Sequence, residues 1–220
     1  MNEVIFSSSN PVTLVGGGAH DASVLRDCLR HAPEVVAADS GADVALSCNI
    51  IPDAVVGDLD SVSADARAAI PADRLNRIGE QDSTDFEKCL RSIDAPAILC
   101  AGFFGDRLDH QLAVLSVLAR YDARHMLVGP VDVVFAAPRR IALDLPFGTR
   151  FSLFPMRQVA GRSRGLRWPI DGIDFTPDGR IGTSNEVAGP VELETDGPGL
   201  LVILPRSAFA QVLEAWGLTG

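Results

Sequence analysis

The first half of the chain alternates short apolar runs with helical patterns, and this alternation constrains the fold more than any other feature. Strand-length apolar runs that alternate with helices predict βαβ units and a parallel sheet. The predicted strands are 12–15, 34–38, 54–56, 74–78 and 97–101. The predicted helices are 22–31, 44–48, 64–70, a helix that starts near Thr84, and 106–121. We therefore expect an α/β N-terminal domain with a mainly parallel sheet.

The pattern changes near Gly129 and Pro130. Beyond this point, strand-like runs follow one another without helices between them, and proline and glycine separate them. These runs are 131–136, 140–143, 150–153, 191–193 and 200–204. Such a series is typical of an all-β sandwich or barrel. We therefore predict two domains, 1–129 and 130–220, the second of which ends in a helix over 208–216.

Composition narrows the class of protein. The 220 residues are 47% hydrophobic and 22% charged, which suits a globular protein with a substantial core. The formal net charge is -10 and no basic run interrupts it, so no nucleic-acid partner is expected. No apolar run approaches the roughly 20 residues of a membrane span, and the first residues lack the basic region of a signal peptide. The four cysteines show no C-x-x-C spacing. We expect a cytoplasmic protein with reduced thiols and no membrane partner.

Two carboxylates follow the predicted strand 54–56. Gly57 ends this strand, and Asp58 and Asp60 come directly after it. Residues two apart at an extended strand end project to the same side, so these two carboxylates repel each other unless a cation such as Mg2+ lies between them. An acidic turn that caps the next helix is the alternative interpretation. Other acidic strand ends and helix starts in the same half of the chain favour the metal site.

A well-marked helix start follows at Thr84. Thr84 and Glu87 have the capping-box spacing, and one apolar stripe is predicted to be buried. That stripe consists of Phe86, Cys89, Leu90 and Ile93. Asp85 and Lys88 share a different face. Asp85 alone is explained by the helix dipole, but a lysine in the first turn opposes the dipole and indicates a nearby anion such as a phosphate.

The predicted helix 106–121 begins with a group of charged residues. Arg107, Asp109 and His110 lie in its first turn, just after a Gly-x-x-Gly turn at 102–105. This crowding indicates anion or ligand binding, although a lone histidine at such a place is more often a cap or a hydrogen-bonding core residue. The predicted buried stripe of this helix is Leu108, Leu112, Leu115 and Leu118.

Taken in order, these motifs resemble those of the thiamine pyrophosphokinase family. The matching segments are 16–18 (GGG), 38–43 (ADSGAD), 57–61 (GDLDS), 82–86 (DSTDF), 102–110 (GFFGDRLDH), 165–168 (GLRW) and 183–186 (TSNE). The resemblance covers roughly residues 12 to 204. Asp106 departs from the pattern, because the family often has a second glycine there.

The resemblance implies an ATP-binding α/β catalytic domain and an all-β C-terminal sandwich domain that binds thiamine. It implies transfer of the diphosphate of ATP to the thiamine hydroxyl, with release of AMP. The implied catalytic residues are Asp58, Asp60, Asp82, Asp85 and Asp109. The implied ATP-binding residues are Gly16, Gly17, Gly18, Asp39, Lys88, Arg107 and His110. The implied thiamine-binding residues are Trp168, Ser184, Asn185 and Asp109, and the implied Mg2+ ligands are Asp39, Asp58, Asp60 and Asp82.

These residue types suit diphosphate transfer, which needs clamped phosphates, neutralised charge and a well-placed acceptor oxygen. Aspartates hold Mg2+ against polyphosphate, and Asp85 is an alternative to Asp82 as a ligand. An indole at Trp168 suits both the aminopyrimidine and the cationic thiazolium of thiamine. The alternatives are a core tryptophan and an ordinary turn at 183–185. No Walker A motif is present.

Three questions of function and assembly stay open at this point. A metal-dependent phosphohydrolase also gathers aspartates at parallel strand ends, and a non-catalytic nucleotide-sensing module would bind ATP without turnover. The resemblance favours a homodimer in which Trp168, Ser184 and Asn185 of one subunit complete the site of its mate. A closed monomer is the alternative.

Overall fold

The structure is a computed structural model that describes residues 4–18, 21–105 and 107–218. The chain groups into two compact units. The first contains the residues up to Val117 together with Leu127–Pro130, and the second contains Leu118–Met126 and the residues from Val131 onward. The departure at Asp106 lies outside the described residues.

The elements of the first half follow the predicted alternation closely. The strands are β1 (Phe6–Ser7), β2 (Val12–Val15), β3 (Glu34–Ala38), β4 (Ala54–Gly57), β5 (Leu75–Arg77), β6 (Ile93–Asp94), β7 (Ile98–Ala101) and β8 (His125–Val128). The helices are α1 (Ala22–His31), α2 (Gly41–Ser47), α3 (Ala64–Ala69), α4 (Asp85–Ser92) and α5 (Leu108–Leu118). The predicted bounds of α1, β2 and β3 are confirmed, whereas β1, β6 and β8 were not predicted.

The main sheet of the first unit has parallel strands in the order β7-β2-β3-β4-β5. From β2 the chain moves outward through β3 and β4 to β5, and then returns to β7 on the other side of β2. The direction of travel therefore reverses between β2 and β7. In open α/β sheets, the crevice outside the carboxyl ends of the strands at such a switch point is where ligands bind.

The strands of this sheet are apolar because helices cover them. Every residue of β2, β4 and β7 is buried. Helix α1 packs against β2 and β7, α2 against β2 and β3, and α4 against β3 and β4. Strands covered on both faces read as continuous apolar runs rather than as alternating ones.

Helix α5 contradicts the predicted leucine stripe in part. Leu108 is 66% exposed and Leu112 is 54% exposed, whereas Val114, Val117 and Leu118 are buried. Apolar residues occur on all sides of this helix, so the sequence does not select the face that packs inward. Helix α5 has only 11 residues, and no helix in the described ranges has the length and apolar character that a membrane crossing requires.

The second unit is built from antiparallel strands. They are β9 (Asp132–Ala136), β10 (Arg140–Leu143), β11 (Arg150–Pro155), β12 (Val159–Leu166), β13 (Asp174–Phe175), β14 (Gly182–Thr195) and β15 (Leu200–Pro205), followed by helix α6 (Phe209–Ala215). The first part of β14 pairs with β11, and its last part pairs with β10 and β12. The alternative of an ordinary turn at 183–185 is wrong, because these residues lie in β14. Strands β12 and β13 were not predicted.

Candidate functional site

A cavity of about 560 Å³ opens at the carboxyl ends of the strands in the first unit. Its size suits a small-molecule ligand. Its lining includes Gly16–Gly18 after β2, Ala38–Ser40 at the end of β3, Asp58 after β4, and residues of the 102–114 segment after β7. The segment that leads into α4 supplies Gln81, Ser83, Thr84, Asp85, Phe86 and Lys88.

The glycines of this cavity let two strand ends approach each other closely. A Cβ on Gly16 would lie 2.7 Å from the carbonyl oxygen of Gly102, and the backbone N–H of Gly18 donates to that same oxygen at 2.9 Å. A Cβ on Gly17 would collide with the hydroxyl of Ser40. The φ angle of Gly102 is 79°, which favours glycine. The segment 16–18 therefore presents backbone atoms without side chains to the cavity.

Three predicted ligands meet at this edge of the sheet. Carboxylate oxygens of Asp39, Asp58 and Asp60 lie within 4.8 Å of one another. Asp39 is only 6% exposed, and its Oδ1 atom has no hydrogen-bond partner among the described residues. A buried carboxylate oxygen without a partner is costly, and a hard divalent cation would satisfy it. The donor set therefore fits Mg2+.

The pKa values of Asp39 and Asp58 are shifted in opposite directions. Burial raises the pKa of Asp39, and the nearby negative charge of Asp85 also raises it. A hydrogen bond from Ser61 acts in the opposite direction and lowers this pKa. The pKa of Asp58 is lowered, first because the amide of Gln81 donates to its Oδ2 atom at 3.1 Å. The backbone N–H of Asp60 also donates to Asp58, at 3.1 Å. Asp58 is thus held ionised, whereas Asp39 gains most from a bound cation.

The loop between these aspartates is fixed from several sides. Leu59 has a φ angle of 65° and is 7% exposed, because its side chain packs into the core with Val55 and Ala66. Arg67 donates to the carbonyl oxygens of Leu59 and Val62. The backbone N–H of Ser63 donates to Asp43 at 3.1 Å. The carboxylates therefore project from a rigid loop.

The predicted cap of α4 is confirmed, because the backbone N–H of Glu87 donates to Thr84 at 3.2 Å. Lys88, the only lysine of the sequence, is 2% exposed, and its Nζ lies 3.0 Å from Oδ1 of Asp85. Both residues line the cavity. The cation that opposes the helix dipole therefore has a carboxylate partner within the chain, and the pair is available to a ligand.

The remaining predicted residues of this unit lie at different distances from the cavity. Arg107 and His110 line it. Arg107 forms a two-point contact with Asp109, with Nη2 2.6 Å from Oδ2, and this contact lowers the pKa of Asp109. Asp82 is exposed and does not line the cavity; its backbone N–H donates to Glu80 at 2.8 Å. The structure does not bring Asp82 into the group of Asp39, Asp58 and Asp60.

Glu80 and Gln81 were not predicted as residues of the site. Gln81 holds Asp58, and Glu80 accepts hydrogen bonds from its own loop. The only signal for them was a polar run directly before a capped helix, which is also what an ordinary loop shows.

A second cavity, of about 550 Å³, lies in the second unit. Trp168, Ser184 and Asn185 all line it, together with apolar side chains such as Ile170 and Phe175. Trp168 is 54% exposed, so the alternative of a core tryptophan is wrong. Three of the four residues predicted to bind thiamine therefore share one cavity, whereas Asp109, the fourth, is not among the residues that line either cavity.

Asn185 uses its amide within the chain. Its Oδ1 accepts from the backbone N–H of Trp168 at 3.1 Å, and its Nδ2 donates to the carbonyl oxygen of Trp168 at 2.7 Å. Its Oδ1 also accepts from the backbone N–H of Glu186 at 2.9 Å. The guanidinium of Arg167 lies 4.8 Å from the centre of the Trp168 ring. Asn185 thus fixes the backbone of Trp168, and Arg167 contacts one face of the indole.

Comparisons with known proteins match segments of both units to the same protein family. The family model described as the thiamin pyrophosphokinase catalytic domain matches residues 25–128, and the model of the thiamin pyrophosphokinase vitamin B1 binding domain matches residues 139–200. Thiamine pyrophosphokinase 1 of Oryza sativa subsp. japonica is 27% identical over 175 residues, covering 70% of this chain and 66% of that protein. Thiamine pyrophosphokinase 1 of Arabidopsis thaliana is 27% identical over 156 residues, covering 62% and 58%. The chain thus spans less than two thirds of these relatives' length.

Solved structures show the same two-domain fold. Thiamin pyrophosphokinase from Candida albicans superimposes with a TM-score of 0.74 at 16% identity, covering 93% of this chain and 94% of that one. Thiamin pyrophosphokinase from Geobacillus thermodenitrificans gives a TM-score of 0.71 at 23% identity, with 89% and 96% covered. Thiamine pyrophosphokinase from Bacillus subtilis gives 0.70 at 20% identity, with 89% and 98% covered.

Proposed function

This chain belongs to the thiamin pyrophosphokinase family, since the two family models together match about three quarters of it, and from that premise we propose that it transfers the diphosphate group of ATP to thiamine. The products are thiamine diphosphate and AMP. One observation carries the proposal: Asp39, Asp58 and Asp60 converge beside a cavity that also contains Lys88 and Arg107. Carboxylates for a cation and cations for phosphate, around one cavity, are what polyphosphate chemistry needs.

We propose Asp39, Asp58 and Asp60 as the residues that hold Mg2+. The fit rests on the buried Oδ1 atom of Asp39 and on the short separations within the group. When bound, Mg2+ would neutralise phosphate oxygens and draw charge from the breaking bond. Asp85, the predicted alternative to Asp82, lines the same cavity, while a role of Asp82 as a ligand stays a prediction.

In the proposed reaction, the hydroxyl oxygen of thiamine forms a bond to the β-phosphorus of ATP. The bond from that phosphorus to the oxygen shared with the α-phosphorus breaks, its electron pair stays on AMP, and the hydroxyl proton leaves to solvent. Because a loose transition state needs little covalent help, the protein mainly has to position the phosphates and neutralise their charge. Lys88 and Arg107 supply positive charge at the cavity, and Asp109 orients Arg107. Gly16, Gly17, Gly18 and His110 complete the proposed ATP site.

We propose the second cavity as the site for thiamine. The exposed indole of Trp168 offers a face for the aromatic rings of thiamine, where stacking and cation–π attraction contribute about 0.5–2 kcal/mol. Ser184 lines the same cavity and offers a hydroxyl. Because the amide of Asn185 is engaged with Trp168, its proposed part is to hold the indole in place.

We propose that the second unit is a β-sandwich, which the division of β14 between different partner strands supports.

We further propose a cytoplasmic homodimer. Light scattering tests the mass. Mixing Asp58→Asn with Trp168→Ala under subunit exchange, at a thiamine concentration far below the KM of Trp168→Ala, tests whether sites are shared. Sharing would restore about half of the activity of each mixed dimer, since one of its two sites is intact. No recovery after proven exchange would place both half-sites in one chain.

One experiment separates the proposed activity from its alternatives. Purified protein is incubated with ATP and Mg2+, with and without thiamine, and AMP and inorganic phosphate are measured. AMP that forms only with thiamine supports the proposal. Inorganic phosphate released without thiamine would indicate a phosphohydrolase. Bound ATP without turnover would indicate a nucleotide-sensing module.

A further inference from the structure

Glu80 gathers an unusual number of donors for a residue outside both cavities. Its Oε2 atom accepts from the backbone N–H of Asp82 at 2.8 Å and from that of Ser83 at 3.1 Å. Its Oε1 atom accepts from the hydroxyl of Ser83 and from the guanidinium of Arg91. These donors hold the pKa of Glu80 at about 2, so the carboxylate is ionised at neutral pH.

These contacts close the segment 80–84 into a compact loop, which we call the Gln81 loop. Arg91 lies in the last turn of α4, so Glu80 ties the start of the loop to the far end of that helix. At the other end of the loop, Thr84 caps the same helix. The loop is therefore fixed at both ends to the helix that carries Asp85 and Lys88.

Gln81 is the residue of this loop that reaches the acidic group. Its amide donates to Oδ2 of Asp58 at 3.1 Å. Glu80 is not one of the residues that line the cavity, and within the part of the chain that the structure describes its hydrogen bonds are all to the Gln81 loop and to Arg91. An effect of Glu80 on the cavity therefore has to pass through the residues that it holds.

We propose that Glu80, together with Arg91, is a positioning residue that keeps the amide of Gln81 on Asp58 and thereby sets the affinity of the acidic group for a divalent cation. Without the carboxylate, two backbone N–H groups and one hydroxyl lose their acceptor, and the Gln81 loop loses its link to α4. A hydrogen-bond partner of a metal ligand typically contributes 10- to 100-fold in affinity. The inference rests on the proposed function only for the identity of the cation.

The test measures cation binding directly, with Mn2+ as a paramagnetic probe followed by electron paramagnetic resonance. We expect Glu80→Gln to weaken Mn2+ binding roughly 10-fold. Glu214→Gln, which removes an exposed carboxylate on α6, is the matched control and leaves Mn2+ binding unchanged. Circular dichroism at the assay temperature checks that each variant is folded.

A double-mutant cycle with Gln81→Ala distinguishes positioning from general destabilisation. If Glu80 acts through Gln81, adding Glu80→Gln to Gln81→Ala weakens Mn2+ binding little further. If the two losses multiply, Glu80 does not act through Gln81 and the proposal is overturned. Should Glu80→Gln fail to fold, Arg91→Gln carries the same cycle, with a smaller expected loss.

The Mn2+ test of Glu80 and the AMP test of the proposed transfer reaction can fail independently of each other. A wild-type protein that binds Mn2+ but forms no AMP with thiamine would overturn the transfer reaction, and the cycle would still test Glu80. A wild-type protein that forms AMP while Glu80→Gln binds Mn2+ as tightly as the wild type would overturn the role of Glu80 alone. Absence of Mn2+ binding by the wild type would overturn the role of Glu80 as well.

Discussion

The two cavities have nearly equal volumes, about 560 and 550 Å³, but they are built in different ways. Lining residues of the first come from segments that extend from Gly16 to Val114, and they include Asp39, Asp58 and Lys88. Those of the second come from a span between Trp168 and Asn185 and are largely apolar. Neutralising polyphosphate requires charges from several strand ends, whereas a flat aromatic ligand can be bound by one local segment. We therefore expect changes in the first cavity to affect turnover and changes in the second to affect thiamine affinity.

The largest effect is expected at the acidic group of the first cavity. Asp58→Asn and Asp60→Asn should each lower turnover at least ~100-fold, because charge neutralisation at the phosphates is lost. The fold should survive, since neither carboxylate is part of the core. AMP formation at saturating ATP and thiamine measures the loss. A variant that keeps full turnover at limiting Mg2+ would remove its aspartate from the proposed cation site.

A smaller effect is expected for the buried cation of the same cavity. Lys88→Ala should weaken binding of a non-hydrolysable ATP analogue by about 1–3 kcal/mol, or roughly 5- to 150-fold. Lys88→Met retains the apolar stem, so an equal loss in both variants assigns the effect to the charge. Since the sequence has one lysine, a lysine-directed nucleotide reagent offers a second measurement: ATP should protect this side chain from modification. Unchanged affinity for the analogue would contradict the proposed phosphate contact.

The second cavity should respond differently. Trp168→Ala should raise the KM for thiamine about 2- to 30-fold, the equivalent of 0.5–2 kcal/mol, and leave ATP binding unchanged. Phe147→Ala is the matched control, because Phe147 is 79% exposed but does not line that cavity. A large fall in turnover at saturating thiamine would break the contrast between the two cavities.

The smallest effect concerns the free energy of unfolding at acid pH. One residue of each unit should contribute to it, each over a different pH range. His125 is 7% exposed, and burial lowers its pKa to about 4 from an ordinary value of 6.5. The unfolded chain binds more protons between these values, so the free energy of unfolding should fall as the pH drops from 6.5 towards 4. The lowered pKa of Glu80 instead contributes stability above about 4.5 that is lost as the pH falls towards 2.

Urea unfolding at a series of pH values measures this difference. His125→Gln should flatten the dependence between pH 6.5 and 4, and His31→Gln, in the last turn of α1, is the control that should retain it. An unaltered slope in His125→Gln would assign the acid sensitivity to other groups.

Elements with one dominant local signal were predictable from the sequence. Helix α1 has a clear apolar stripe and ends before Pro33, and its bounds match the prediction. The cap at Thr84 followed from the spacing of two residues. In both cases the controlling interactions lie within a few residues. The proximity of Asp58 and Asp60 was predicted and is found, but the predicted reason is wrong, because both residues lie beyond the end of β4 and Leu59 between them has a φ angle of 65° rather than an extended backbone.

Features that depend on distant partners were not predictable. The buried face of α5 is selected by the surfaces it packs against, because leucine and valine occur on all sides of it. Strand β12 contains two glycines and three polar side chains, and it is defined by its pairing with β14. The positioning role proposed for Glu80 depends on its contacts with backbone N–H groups and with Arg91. Such contacts leave no periodic pattern in the sequence.

The left-handed backbone at Leu59 has a consequence for how this site can vary. Leu59 separates Asp58 from Asp60 while its side chain is buried against Ala66 and Ile70. The core contact therefore offsets a backbone conformation that costs a non-glycine residue about 1–2 kcal/mol. A change in the packing below the loop moves both carboxylates at once, so substitutions at Ala66 or Ile70 should be epistatic with substitutions at the two aspartates. Positions remote from any ligand would then limit which sequences remain active.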